Sequence, residues 1–322
     1  MGEISVLGAG AFGTALAISL ARSGQAVRLW ARDPGAAREM QAARVNSRRL
    51  PGRRFPASLE ATDDLALACT APVLLLAVPM QQLAEFVASR RPELRDRILV
   101  ACCKGVDLAS NRGPLAVIED TLPATPVAIL SGPSFAVDIA EGLPTALTIA
   151  ARDADLVGDL QERLSTDNIR LYSSLDPVGV EFGGAMKNVI AIACGFAMGE
   201  GLGESARAAL MTRGFAEMQR LAGHFGADPL TLAGLAGFGD LVLTCTSEKS
   251  RNYSHGLRLG RGETVDPGVT VEGVATARAV AQLSRQAGID MPITRTVTDI
   301  LDAKLSIPEA VEQLLTRPLK RE

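Results

Sequence analysis

The sequence predicts two domains: an α/β domain on a largely parallel sheet, then an all-helical domain. Three observations carry this. Short apolar runs recur through the first half, each ended by glycine, proline or a polar residue, as expected of strands covered on both faces. A glycine-rich turn joins the first run to an apolar helix. Beyond Asp176-Pro177 the hydrophobic spacing becomes helical, which places the units at residues 1–178 and 179–322.

The chain's 322 residues, 47% of them hydrophobic, can fill two cores. A net charge of -3 implies no general attraction to nucleic acid or an anionic membrane. The five cysteines (Cys69, Cys102, Cys103, Cys194 and Cys245) are odd in number, lack CxxC spacing and sit among apolar residues. A reduced, cytoplasmic setting follows. No apolar run is expected to reach the roughly 18 to 20 residues that span a bilayer, and the sequence enters a strand pattern without a basic leader. With two histidines, His224 and His255, and no ligand cluster, no metal site is expected.

Taken in order, Ile4-Ser5-Val6-Leu7 reads as a buried strand, Gly8-Ala9-Gly10-Ala11-Phe12-Gly13 as a turn and residues 14–20 as a helix. In such a turn Gly8 permits the tight bend, Gly10 lets a pyrophosphate approach the backbone, and Gly13 lets helix and strand pack closely. The helix N-terminus then offers free N–H groups to the phosphates. Val27-Arg28-Leu29-Trp30 is the second strand, and Arg32-Asp33 follows where an adenosine ribose would lie. Asp33 before Pro34 suits the cap of the next helix, which leaves Arg32 for a 2′-phosphate and favours NADP over NAD. Arg48, Arg49, Arg53 and Arg54 surround Leu50-Pro51-Gly52, and one of them can add to that phosphate pocket.

Residues 73–78 and 97–102 read as buried strands whose ends bring Pro79 and Lys104 to the same sheet edge as the glycine turn. Residues 126–130 form another strand, which runs into Ser131-Gly132-Pro133-Ser134-Phe135-Ala136. Residues 146–150 and 169–172 complete the sheet.

The second domain is organised around Glu181-Phe182-Gly183-Gly184-Ala185-Met186-Lys187-Asn188-Val189-Ile190-Ala191-Ile192, an apolar helix that carries one lysine. Burial disfavours an ammonium ion unless a carboxylate is near, which is how an amine becomes a working acid or base. The chain has only five lysines against 28 arginines, so lysine at Lys187 and Lys104 points to a need for an exchangeable proton. Asp240 stands alone in the apolar stretch 235–245 and is the natural partner of Lys187. Ser250-Arg251-Asn252 offers a guanidinium and two polar groups suited to a phosphate. Ser306-Ile307-Pro308-Glu309 is a capping box that opens the last helix.

Together with Leu50-Pro51-Gly52 and Lys104-Gly105, the glycine turn, Ser131 to Ala136, Gly184-Ala185-Met186-Lys187-Asn188, Gly239 to Cys245 and Ser250-Arg251-Asn252 resemble the bacterial NAD(P)-dependent glycerol-3-phosphate dehydrogenases over almost the whole chain. The resemblance implies a Rossmann-type domain followed by a helical domain like that of 6-phosphogluconate dehydrogenase, commonly as a homodimer. It implies interconversion of dihydroxyacetone phosphate and sn-glycerol 3-phosphate for glycerophospholipid synthesis. By position, Lys187 is the proton donor and acceptor, with Asp240 and Lys104 beside it. Lys104, Gly132, Ser134, Asp240, Ser250, Arg251 and Asn252 would contact substrate. Ala11, Phe12, Arg32, Lys104, Ala136, Arg251, Thr270 and Glu272 would contact the dinucleotide, with Arg49 as an added candidate. Two rivals remain at this level: a 3-hydroxyacid dehydrogenase of the same build, and a dinucleotide-sensing protein without catalysis.

Overall fold

The computed structural model describes residues 4–265 and 271–315. Among the described residues eight strands form one sheet in the order β3-β2-β1-β4-β5-β6-β7-β8. They are β1 (Ile4–Leu7), β2 (Val27–Trp30), β3 (Leu59–Thr62), β4 (Val73–Leu76), β5 (Ile98–Ala101), β6 (Val127–Ser131), β7 (Thr145–Ala150) and β8 (Ile169–Ser174). All pairings are parallel except β6 with β7. The reversal of order after β1, which is flanked by β2 and β4, leaves a crevice at the carboxyl ends of the strands. One apolar core lies on each face of the sheet.

β3 was not among the expected strands. It is an edge strand with alternating burial, so Leu-Glu-Ala-Thr lacks the continuous apolar run that marks a strand covered on both faces.

The helical part is built on Pro177–Gly199, which Asp176 caps by accepting from Gly179 N at 2.8 Å. At 23 residues this helix is long and apolar enough to cross a membrane by length and composition, which corrects the expectation that no such run exists. Its apolar faces are turned inward instead: 83% of its most apolar window is buried within the protein. Glycines explain how closely it is enclosed. A Cβ on Gly195 would lie 2.3 Å from Tyr253 O, and one on Gly256 would lie 2.2 Å from Ile192 O. The helix Arg251–Gly260 therefore packs backbone against backbone on the central helix, where larger side chains could not fit.

Asp240 opens the short helix Asp240–Cys245, directly after a π-helical turn at Leu235–Gly239. The capping box holds, with Ser306 N donating to Glu309 Oε2 at 2.8 Å and Ser306 Oγ accepting from Glu309 N.

Candidate active site

The glycine turn lies at the carboxyl end of β1, and its glycines divide into two kinds. Gly8 has φ +126°, and a Cβ there would meet Ala77 O at 2.6 Å; one on Gly13 would meet Gly8 O at 2.2 Å. The fold itself requires both. A Cβ on Gly10 would meet nothing within 4 Å, and its φ of -71° suits any residue. Open space is thus kept where a pyrophosphate would press against the backbone. The helix Ala11–Arg22 starts there with no side-chain cap and no acid in its first turn, so the N–H groups of Ala11 and Phe12 are available to an anion. The cradle fits a dinucleotide. Gly10→Val should leave the thermal unfolding midpoint within about 2 °C and raise the KM for dinucleotide at least about tenfold; steady-state kinetics and a melting curve check both.

Asp33 caps the helix Pro34–Ala43, with Oδ1 accepting from Gly35 N at 2.7 Å and Ala36 N at 3.0 Å. The same two N–H groups, Ala36 first, lower its pKa. Arg32 is exposed beside it at the end of β2. In the arginine loop Arg48 pairs with Glu39 at 3.0 Å and Arg53 with Glu141, while Arg49 is exposed.

At the other end of the crevice, β5 and β6 lie side by side, and the residues that follow them meet the central helix. Lys104 Nζ donates to Gly132 O at 3.1 Å and to Asp240 Oδ2 at 2.6 Å. Lys187 Nζ donates to Asp240 Oδ1. Asp240 is fully buried, and the side chains of Lys104 and Lys187 are 14% and 8% exposed. Thr244 Oγ1 lies 2.6 Å from the Asp240 backbone carbonyl, to which it donates, and 3.3 Å from the carboxylate oxygen Oδ1. Gly184 makes the approach possible, since a Cβ there would lie 2.7 Å from Ser131 Oγ and 3.5 Å from Lys104 Cγ. Burial lowers the Lys187 pKa to about 8; the Asp240 charge opposes that shift and the Lys104 charge adds to it. Two ammonium groups on one carboxylate leave the cluster a positive charge in excess.

The remaining expected residues divide by position. Ser134 Oγ donates to Gly132 O at 3.3 Å, and Ala136 opens the helix Ala136–Glu141. Ser250 caps the helix Arg251–Gly260 by accepting from Tyr253 N at 3.2 Å. Asn252 is buried; its Nδ2 donates to Asn188 Oδ1 at 2.8 Å and its Oδ1 accepts from Gly273 N at 2.9 Å. Among the described residues, the Ser250 hydroxyl hydrogen and the second Asn252 amide hydrogen have no acceptor. Arg251 is exposed at the start of the same helix. Glu272 shares a cleft with Lys104, Met80, Gln81 and Thr276, between the sheet edge and the helical part. Thr270 lies outside the described residues. The sequence did not show Asn188 as the group that ties Lys187's neighbourhood to Asn252; only its place beside Lys187 hinted at it.

A glycine cradle for a dinucleotide, with a buried lysine held by a carboxylate at the carboxyl edge of the same sheet, defines a two-domain nicotinamide-linked dehydrogenase. Comparison with known proteins narrows this. Residues 3–157 match the model of the NAD-dependent glycerol-3-phosphate dehydrogenase N-terminus, and residues 176–312 match that of its C-terminus. Glycerol-3-phosphate dehydrogenase [NAD(P)+] of Ruegeria sp. (strain TM1040) is 58% identical over 99% of this chain and 100% of its own length. That of Roseobacter denitrificans is 54% identical with the same coverage. The crystal structure of glycerol-3-phosphate dehydrogenase from Coxiella burnetii superposes with a TM-score of 0.93 at 41% identity, over 98% of this chain and 99% of that one. The chain belongs to the NAD(P)-dependent glycerol-3-phosphate dehydrogenase family, an oxidoreductase family.

Proposed function

We propose that this chain interconverts dihydroxyacetone phosphate and sn-glycerol 3-phosphate, with Lys187 giving the proton to the C2 oxygen in reduction and taking it back in oxidation. The observation that carries this is the buried cluster of Lys104, Asp240 and Lys187 where the two parts of the chain meet. Bound in the glycine cradle, NAD(P)H supplies the hydride. As negative charge grows on the ketone oxygen, Lys187 stabilises it and protonates it, while Lys104 adds positive potential. Asp240 holds both amines, so neither must reorganise as the charge forms. Arg251, with Ser250 and Asn252 offering their remaining hydrogens, takes the phosphate, and Gly132 and Ser134 border the substrate on the sheet side. Binding energy gained at the phosphate then fixes the carbonyl for reaction.

On the cofactor side Ala11 and Phe12 take the pyrophosphate, and Ala136 and Glu272 flank the dinucleotide. Arg32 and Arg49 take the 2′-phosphate, which supports NADP ahead of NAD. The working units are residues 1–178 and 179–322. A cytoplasmic place is supported by the five free, buried cysteines. A homodimer is supported by the exposed Phe225 and Phe238 on the helical part. A supply role in glycerophospholipid synthesis follows from the product.

Absorbance assays of dihydroxyacetone phosphate reduction with NADPH and NADH in parallel test the reading, and turnover with NADPH should exceed that with NADH. Arg251→Ala should raise the KM for dihydroxyacetone phosphate about tenfold or more, the scale of one charge-assisted hydrogen bond. Equal use of dihydroxyacetone with and without its phosphate, or preferred turnover of 3-hydroxyacids, would overturn the assignment.

A further inference from the structure

The arginine loop is closed at its base, where Val45 and Arg54 form an antiparallel bridge and Phe55 N donates to Arg44 O at 2.8 Å. Leu50, only 2% exposed, anchors the loop in the core on one face of the sheet. Among the described residues one polar side chain joins it to the glycine turn. Asn46 is 3% exposed, and its Nδ2 donates to Ala9 O at 3.0 Å and to Thr14 Oγ1 at 2.9 Å. Its Oδ1 accepts the backbone N–H of Arg49 at 3.2 Å. Both amide hydrogens are used, and the amide oxygen has a partner. A buried amide satisfied in this way has one orientation, since turning it would leave polar groups unpaired in the interior.

We infer that Asn46 is a positioning residue for cofactor choice: it holds the backbone of Arg49 at a fixed place relative to the phosphate-binding turn. The inference rests on the reading of Arg49 as a contact to the 2′-phosphate. The pyrophosphate position is set by Gly10 and the helix start, and the adenosine ribose lies beyond the end of β2, by Arg32. A guanidinium meets a phosphate well only in a narrow geometry. The side-chain link between the turn and the Arg49 backbone runs from Ala9 O through Asn46 to Arg49 N, beside the backbone bond from Leu50 N to Asn46 O at 2.9 Å. On this reading a dinucleotide without the 2′-phosphate has no group for the Arg49 guanidinium to hold. Asn46 therefore acts on NADPH more than on NADH.

The test is the ratio of kcat/KM with NADPH to kcat/KM with NADH, measured for the parent enzyme, Asn46→Ala and Arg49→Ala alongside thermal unfolding. Asn46→Ala should lower the ratio by about tenfold, mainly through the KM for NADPH, with the KM for NADH changed by less than about threefold. A purely structural asparagine would raise both KM values together or lower only the unfolding temperature, and an unchanged ratio of this kind overturns the proposal. If Arg49→Ala leaves the ratio unchanged, the reading of Arg49 fails and the inference falls with it. If Arg49→Ala lowers the ratio and Asn46→Ala does not, only the inference falls. Should Asn46→Ala yield no folded protein, Asn46→Leu fills the side chain's volume while removing its bonds to Ala9 O and Arg49 N. A lowered ratio in that variant supports the proposal, and an unchanged one overturns it.

Discussion

Lys187→Met should lower kcat for ketone reduction by roughly 10²- to 10⁴-fold, the scale of losing a general acid, while the dissociation constant of the dinucleotide stays within about twofold. The methionine fills the lysine's volume in an apolar helix, so the fold should survive the exchange. Its removal of the amine also gives a pH signature. With the Lys187 pKa lowered to about 8, the ammonium form that reduction needs prevails below that pH, and the amine form that oxidation needs prevails above it. In the parent enzyme kcat/KM for reduction should thus be flat below about pH 8 and fall above it, and kcat/KM for oxidation should rise through the same range. Both inflections should vanish in the variant. Stopped-flow or steady-state traces with NADPH, and fluorescence titration of the dinucleotide, separate the two effects; parent-like turnover by Lys187→Met would remove the amine from the chemistry.

The sequence made the sheet legible because most of its strands are covered on both faces, so they stand out as unbroken apolar runs. β3 escaped because an edge strand needs only every second residue to be apolar. The antiparallel pairing of β6 with β7 escaped for a different reason: burial pattern carries no strand direction. The central helix read as buried, but its length and apolarity also meet the demands of a bilayer. The close seat of Gly195 and Gly199 against Gly256 and Gly260 shows one of the helices that cover it.

At the site, Lys187 and Asp240 could be paired from the sequence as lone charges in apolar stretches, since each needed the other to be buried at all. That the same carboxylate also holds Lys104 was not readable, because it depends on how the end of β5 meets a helix 136 residues further along. Glu217 shows the same blind spot. It is 1% exposed and caps the helix Pro292–Leu301, accepting from Ile293 N at 2.6 Å and Thr294 N at 3.1 Å, yet in sequence it looks like any charged residue on an amphipathic helix.

Asp240→Asn should damage both chemistry and fold, because one carboxylate answers two buried cations. The amide keeps the shape and one acceptor but removes the charge, which leaves two ammonium groups close together out of water. Breaking a buried pair in this way costs about 3 to 5 kcal/mol, which a melting curve would register as a clear loss. Lys187 can relieve part of that cost by giving up its proton. Asp240's charge now opposes the fall in the Lys187 pKa, whereas burial and Lys104 drive it; without Asp240 only the lowering influences remain. The Lys187 pKa must therefore drop below about 8 in the variant. Reduction at neutral pH should slow for want of the ammonium form, and the inflections for reduction and oxidation should both move to lower pH. Lys187→Met abolishes these inflections, whereas Asp240→Asn shifts them. An Asp240→Asn enzyme with parent-like stability and unmoved inflections would mean that the carboxylate does not govern the amine's proton.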